Sequence, residues 1–161
     1  MTEVRIEALS PAQVPLWSAL REELWPDTSA AEHARESAHL LQSPDYLVLL
    51  AFAAGARTDD HAHEQPAGFA EVTLRRSYVN GCDTLPGEPV AFLEGIYVRP
   101  AFRRRGVARA LVDRSAAWVS ARGVTEFASD ALIDNEASHA MHRALGFEET
   151  ERIVFFRRLV K

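Results

Sequence analysis

The 161-residue chain predicts an α/β domain with a mixed, mostly antiparallel central sheet flanked by helices, in the order β-α-α-β-β-β-α-β-α-β. Three observations predict it. Apolar, strand-like stretches at 46–53, 67–75 and 90–98 follow one another with no helical segment between them. Helix-period patterns bracket that block: Leu16, Leu20 and Leu24 before it, and Ala108, Leu111, Val112, Ser115, Ala116 and Val119 after it. The length suits one core and is too short for two, and no linker or internal repeat divides it, so residues 1–161 read as a single domain.

Taken in order, Val4-Arg5-Ile6 alternates like a short strand. Ser10-Pro11 supplies a helix cap and first-turn proline, and Pro26 stops that helix. Ser29 followed by Glu32 is a capping-box pattern that opens a second helix through about Leu41. The run YLVLLAFAAG from Tyr46 to Gly55 reads as a buried strand, since it is half the roughly 20 residues a membrane span requires. The polar stretch from Gly55 to Pro66, which carries His61 and His63, reads as a long connection. Strands at 67–75 and 90–98 follow, separated by a turn-rich segment from Asn80-Gly81 to Pro89. A long helix ends at Gly123, Glu126-Phe127-Ala128 is a short strand, and Asp134 can cap a helix that Gly146 terminates. Glu151 to Val160 is expected to close the chain as a last strand.

A formal charge of −5 makes nucleic acid a poor partner and favours cations. No stretch is long enough for a membrane span, and MTEVRIEALS lacks the basic-then-apolar pattern of a signal peptide. The single cysteine, Cys82, excludes an internal disulfide and fits a reducing, cytoplasmic setting. It follows Asn80-Gly81 in a turn with no base indicated, so it does not read as a nucleophile.

The chemistry concentrates between residues 94 and 108. Glu94-Gly95-Ile96-Tyr97-Val98-Arg99-Pro100 is a strand ending at a proline, and Ala101 to Val107 is a basic turn that opens a helix. N–H groups at a helix start have no intrahelical partner, and the helix dipole adds positive potential. Gly106 and Ala108 keep side chains away, while Arg103, Arg104 and Arg105 add charge, which suits a phosphate or pyrophosphate. The same residues could form a solvated helix start with a basic patch. No Gly-Lys-Ser/Thr and no three-glycine dinucleotide fingerprint is present.

Arg103-x-x-Gly106-x-Ala108 resembles the acetyl-CoA motif of the GNAT superfamily, Q/R-x-x-G-x-G/A. Asn135-Glu136-Ala137 through Ala144-Leu145-Gly146-Phe147 resembles its second signature, an Asn-led helix ending in Gly-Phe. The pair at this separation is more specific than either alone. It implies that acetyl-CoA lies with its pyrophosphate on Arg103, Arg104, Arg105, Gly106, Val107 and Ala108. The pantetheine would run along Ile96, Tyr97 and Val98, with Asn135 on the cofactor arm. Segments 77–81, 92–98, 125–130 and 138–142, with Leu24-Trp25-Pro26, are similar to type-I aminoglycoside 6'-N-acetyltransferases over nearly the whole chain. The 55–66 stretch is longer than that resemblance leads one to expect.

A cationic amine must be held, deprotonated and brought to a thioester. The resemblance implies that Glu94 binds the amino-sugar and is the candidate general base; otherwise it is a structural ion-pair partner, since a carboxylate among apolar residues needs one or the other role. It also implies that Asp130 and Glu151 hold further ammonium groups and that Trp25 and Tyr78 wall the site. Three of these have a plainer reading: a loop cap for Asp130, a solvated charge for Glu151, a core side chain for Trp25. His142 stands where many superfamily members carry a tyrosine that protonates the leaving thiolate; it is the candidate general acid, with solvent in that role, or a ring that simply packs, as the alternatives. His139, one turn earlier, lacks a third ligand at matching spacing, and no metal is expected. Direct attack in a ternary complex follows, with the Val98 N–H as candidate oxyanion donor. The resemblance further implies a homodimer. The competing readings are a GNAT enzyme acting on a polyamine or protein N-terminus, a non-catalytic acyl-CoA-binding sensor, and a basic-patch phosphate or nucleic-acid binder.

Overall fold

The structure, a computed structural model, describes residues 4–54 and 64–160. Its elements are β1 (Val4–Ala8), α1 (Val14–Leu24), α2 (Ala30–Ser37), β2 (Tyr46–Ala54), β3 (Glu64–Arg75), β4 (Val90–Val98), α3 (Val107–Ser120), β5 (Phe127–Ser129) and α4 (Glu136–Ala144). Single 3-10 turns cover Pro11–Gln13, Leu40–Gln42 and Pro100–Phe102. The sheet runs β1-β2-β3-β4-β5, antiparallel except for the parallel β4–β5 pair.

The apolar run at 46–53 is continuous because β2 is covered on both faces. Val48 and Leu50 pack with Phe69 of β3 against Trp17 and Leu20 of α1. Leu49, Ala51 and Ala53 join Ala70, Val72 and Leu93 against Val107, Leu111, Val112 and Val119 of α3. A three-layer arrangement results, with α1 and α3 on opposite sides of the sheet. Burying a leucine in either layer stabilises the fold by about 1.5–3 kcal/mol.

Some expectations are corrected. The second helix stops at Ser37, and a 3-10 turn replaces its expected last turn. Asn135, not Asp134, caps α4: its Oδ1 accepts the Ser138 N–H at 3.1 Å. The expected last strand is not formed. Residues 151–160 have no regular secondary structure and are exposed throughout, and no strand among the described residues pairs with them. The loop expectation for 55–66 splits: 64–66 belong to β3, whereas 55–63, with His61 and His63, lie outside the described residues.

Candidate active site

The site is organised by one irregularity in β4. Across β3, Glu71 pairs with Gly95 and Val72 with Leu93, so Glu94 is an extra residue, a β-bulge. The parallel partner β5 accompanies β4 only over Ala91, Phe92 and Leu93. From Glu94 onward the β4 edge facing away from β3 is open. Arg99 N–H donates to Ala67 O at 2.8 Å, which makes Val98–Gly68 a non-hydrogen-bonded pair. The Val98 N–H and C=O therefore point to the open edge, and the carbonyl there accepts from Arg103 Nε at 2.9 Å.

The turn after β4 is built for close approach to backbone. Phe102 is buried and pins it to the α3 side of the core. Arg104 (φ 61°) and Gly106 (φ 84°) both take the left-handed conformation, and a Cβ at Gly106 would meet nothing within 4 Å. The first N–H used inside α3 is that of Ala110, to Gly106 O at 3.0 Å. The N–H groups of Val107, Ala108 and Arg109 thus have no intrahelical partner. Arg103 and Arg104 are exposed, and Arg105 stacks 5.4 Å over the Phe102 ring. An open strand edge running into a helix N-terminus whose first N–H groups lack intrahelical partners, ringed by arginines, fits an extended thioester cofactor with a pyrophosphate.

On the α1 face of the sheet, the bulge aims Glu94 into a pocket of about 390 Å³ shared with Trp25, Tyr46, Glu71 and Thr73. Both Glu94 oxygens are engaged. Arg75 donates to them from Nε at 2.9 Å and from a terminal nitrogen at 2.6 Å, and the Thr73 hydroxyl donates to Oε1. Arg75 rests 3.5 Å over the Phe92 ring. The Glu94–Arg75 pair is 27% and 38% exposed, open enough for a competing cation to reach it. The structure thus shows Glu94 as an ion-pair member that lines the pocket.

Trp25 sits at the C-cap of α1 and leans on β4: a Cβ at Gly95 would lie 2.6 Å from its ring. Sequence reasoning missed Glu71, which is 2% exposed and accepts from Trp17 Nε1 (2.9 Å) and Tyr46 OH (2.6 Å). Burial pushes its carboxyl above the usual carboxylate range, and Arg21, Tyr46 and Trp17 pull it back. The available signal was the period-2 set Phe69, Glu71 and Thr73 on one face of β3.

Tyr78, Asp130 and Glu151 are exposed and do not line that pocket. Glu151 follows Thr150, which abuts Gly81, so the tail crosses the turn that carries Tyr78. Asn135 spends its oxygen on the α4 cap and keeps its amide N–H groups for other partners. His142 Nδ1 lies 2.8 Å from Ser138 O, so that nitrogen carries a proton; Nε2 lies 2.9 Å from Ser129 Oγ at the end of β5. His139 turns instead to Leu132 O at 2.9 Å. Among the described residues no three His, Cys, Asp or Glu converge as metal ligands. Burial, Glu126 and Asp83 push the Cys82 thiol up, away from nucleophilic character.

The Acetyltransferase (GNAT) family model matches residues 17–147. An aminoglycoside N(6')-acetyltransferase type 1 of Acinetobacter genomosp. 13 is 45% identical over 96% of this chain and 98% of its own length. That of Salmonella typhimurium is 39% identical over 95% and 97%. Among solved structures, an aminoglycoside antibiotic 6'-N-acetyltransferase of Acinetobacter baumannii superposes with a TM-score of 0.84 at 43% identity, covering 99% of this chain and 100% of that one. Another, AAC(6')-Iy in complex with the bisubstrate analogue CoA-S-monomethyl-acetylneamine, gives a TM-score of 0.82 at 37% identity, covering 98% and 99%.

Proposed function

Because the chain belongs to the acetyltransferase (GNAT) family, and is thus an acetyl-CoA-dependent enzyme, we propose that it acetylates the 6'-amine of aminoglycoside antibiotics and so confers resistance to them. The observation that carries this reading is the bulge at Glu94. One strand presents an open backbone edge, Ile96–Val98, to the cofactor and, two residues earlier, a carboxylate to an amine pocket. Acetyl-CoA supplies the activated acyl group. Gly106 to Arg109 hold its pyrophosphate on backbone N–H groups, and the Ile96–Val98 edge orients its arm. Glu94 takes the ammonium by sharing or displacing Arg75, and water at the pocket mouth or Glu94 itself removes the proton. The Val98 N–H, directed at the open edge, stabilises the oxyanion. His142, charged to the imidazolium by the proton that the amine releases to solvent, gives its Nε2 proton to the thiolate and returns to the neutral ring. Asp130, Glu151 and Tyr78 lie outside the pocket and serve the outer rings of a polycationic substrate.

The active unit is a homodimer in this reading. The tail exposes Val154 (69%), Phe155 (86%), Phe156 (94%) and Leu159 (80%), apolar surface that water disfavours and a second copy would cover. A cytoplasmic setting accords with the single cysteine and with the cofactor. Among the described residues, no helix is long and apolar enough to cross a membrane.

The test is turnover of kanamycin, tobramycin and spermidine with acetyl-CoA, followed by mapping of the modified nitrogen. Acetylation of kanamycin at N6' is expected. Turnover of spermidine alone would move the assignment to polyamines, and binding of coenzyme A without turnover of any amine would leave a sensor.

A further inference from the structure

The α1 side of the pocket contains a buried ion pair that acetyl transfer, as laid out above, does not use. Trp17, Arg21 and Trp25 stand at i, i+4 and i+8, so their side chains fall on one face. The Arg21 guanidinium carbon lies 5.1 Å from the Trp17 ring centroid and 5.0 Å from that of Trp25, within cation–π reach of both. Its edge is held by charge and by one hydrogen bond, the Nε–Glu71 contact being an ion pair without hydrogen-bond alignment. Nε is 3.1 Å from Glu71 Oε1, and a terminal nitrogen donates to Ser37 Oγ of α2. Glu71 is in turn held by Trp17 Nε1 and Tyr46 OH. Arg21 is 13% exposed, so this orientation is set by protein rather than by water.

Trp25 has fewer constraints of its own. It lies at the C-cap of α1, where its N–H donates to Arg21 O at 2.7 Å and its carbonyl accepts from Thr28 N–H at 3.2 Å, contacts that fix its backbone rather than its ring. Phe69 meets it edge-on at 6.3 Å, and His33 is tilted at 6.0 Å. Gly95 leaves it room on β4 without gripping it.

We infer that Arg21, anchored by Glu71, is the positioning residue for Trp25: it fixes the indole that walls the amine pocket and thereby sets the affinity for the amine substrate. This rests on reading the pocket as the amine site. Two chemical features make the pair suited to the task. A planar guanidinium can lie against two indoles at once, which an ammonium cannot. A bare cation beside the pocket would repel a cationic amine, and Glu71 cancels that charge while Glu94 faces the substrate.

The experiment compares wild type with Arg21→Lys and with the double variant Arg21→Met/Glu71→Gln. The first keeps the charge paired with Glu71 but loses the planar faces. The second removes both buried charges together, an exchange that folded proteins tolerate. KM for kanamycin should rise about tenfold in both, with kcat and KM for acetyl-CoA held within about twofold because the cofactor side lies on β4 and α3. Indole emission, which requires no substrate, should shift to longer wavelength in Arg21→Lys and not in Arg21→Lys/Trp25→Phe against Trp25→Phe. Unchanged KM for kanamycin in both variants with an unchanged spectrum overturns the inference. So does a parallel loss in kcat, both KM values and Tm in Arg21→Lys, since that marks a purely structural role. Wild-type turnover of kanamycin in the same assay checks the substrate reading separately.

Discussion

Strand β4 presents two surfaces of different chemistry. Past the bulge, its outer edge and the turn into α3 present backbone: the Val98 N–H, the N–H groups after Gly106 that have no intrahelical partner, and a glycine held at φ 84°. Its α1-facing side presents side chains, and the charged ones come in pairs, Arg75 with Glu94 and Arg21 with Glu71. Under the proposed function the backbone surface needs little beyond a correct main-chain path to hold the cofactor, and the side-chain surface can be retuned for the amine without disturbing the fold.

That contrast can be broken, and the largest effect is expected at Glu94. Glu94→Gln should lower kcat/KM for the amine by about a hundredfold or more, the scale of a lost buried charge or base, with coenzyme A affinity by calorimetry unchanged. Equal loss in both would merge the two regions into one. Next, Gly95→Ala drives a Cβ against the Trp25 ring; amine KM should rise about tenfold, the effect of roughly 1.4 kcal/mol, with acetyl-CoA kinetics preserved.

Gly106→Ala probes the other region. Open space surrounds the new methyl, so the cost is purely conformational, about 1 kcal/mol for an L-residue at positive φ. Weaker coenzyme A binding by severalfold is expected, with amine KM unchanged. The smallest effect belongs to Glu126, which joins the turn after Gly81 to the start of β5. The Thr84 hydroxyl and the Asp83 and Thr84 N–H groups hold its carboxyl below the usual carboxylate range. A depressed folded-state pKa contributes stability above the unfolded value, lost as pH falls through the folded one. Glu126→Gln should therefore lower Tm slightly at pH 7, and the difference should vanish in acid; a difference that persists there would contradict this assignment.

Legibility in the sequence follows the same division. The β4 span was legible to the residue, Val90–Val98, because its apolar run is bounded by turn residues and a proline. The strand end, the Gly106 turn and the helix start were legible because they are contiguous. Trp25 and Glu94 were also named, the latter as an isolated carboxylate in an apolar strand. Arg75, Glu71, Tyr46 and Arg21 were not, since their roles depend on partners 19 to 54 positions away in the chain. The expected last strand failed for a related reason: Glu151–Val160 has strand composition, but a strand exists only through hydrogen bonds to a neighbour.

By itself, then, the sequence determined the layered sheet, the span of β4 and the start of α3, because periodicity, proline, glycine and helix termini act over a few residues. Tertiary structure alone decided which carboxylate meets which arginine, that Trp25 closes the pocket over Gly95, and that the tail pairs with no strand among the described residues. Those outcomes depend on distances between segments far apart in the chain, which only the folded sheet brings within the few ångströms where charges and rings interact.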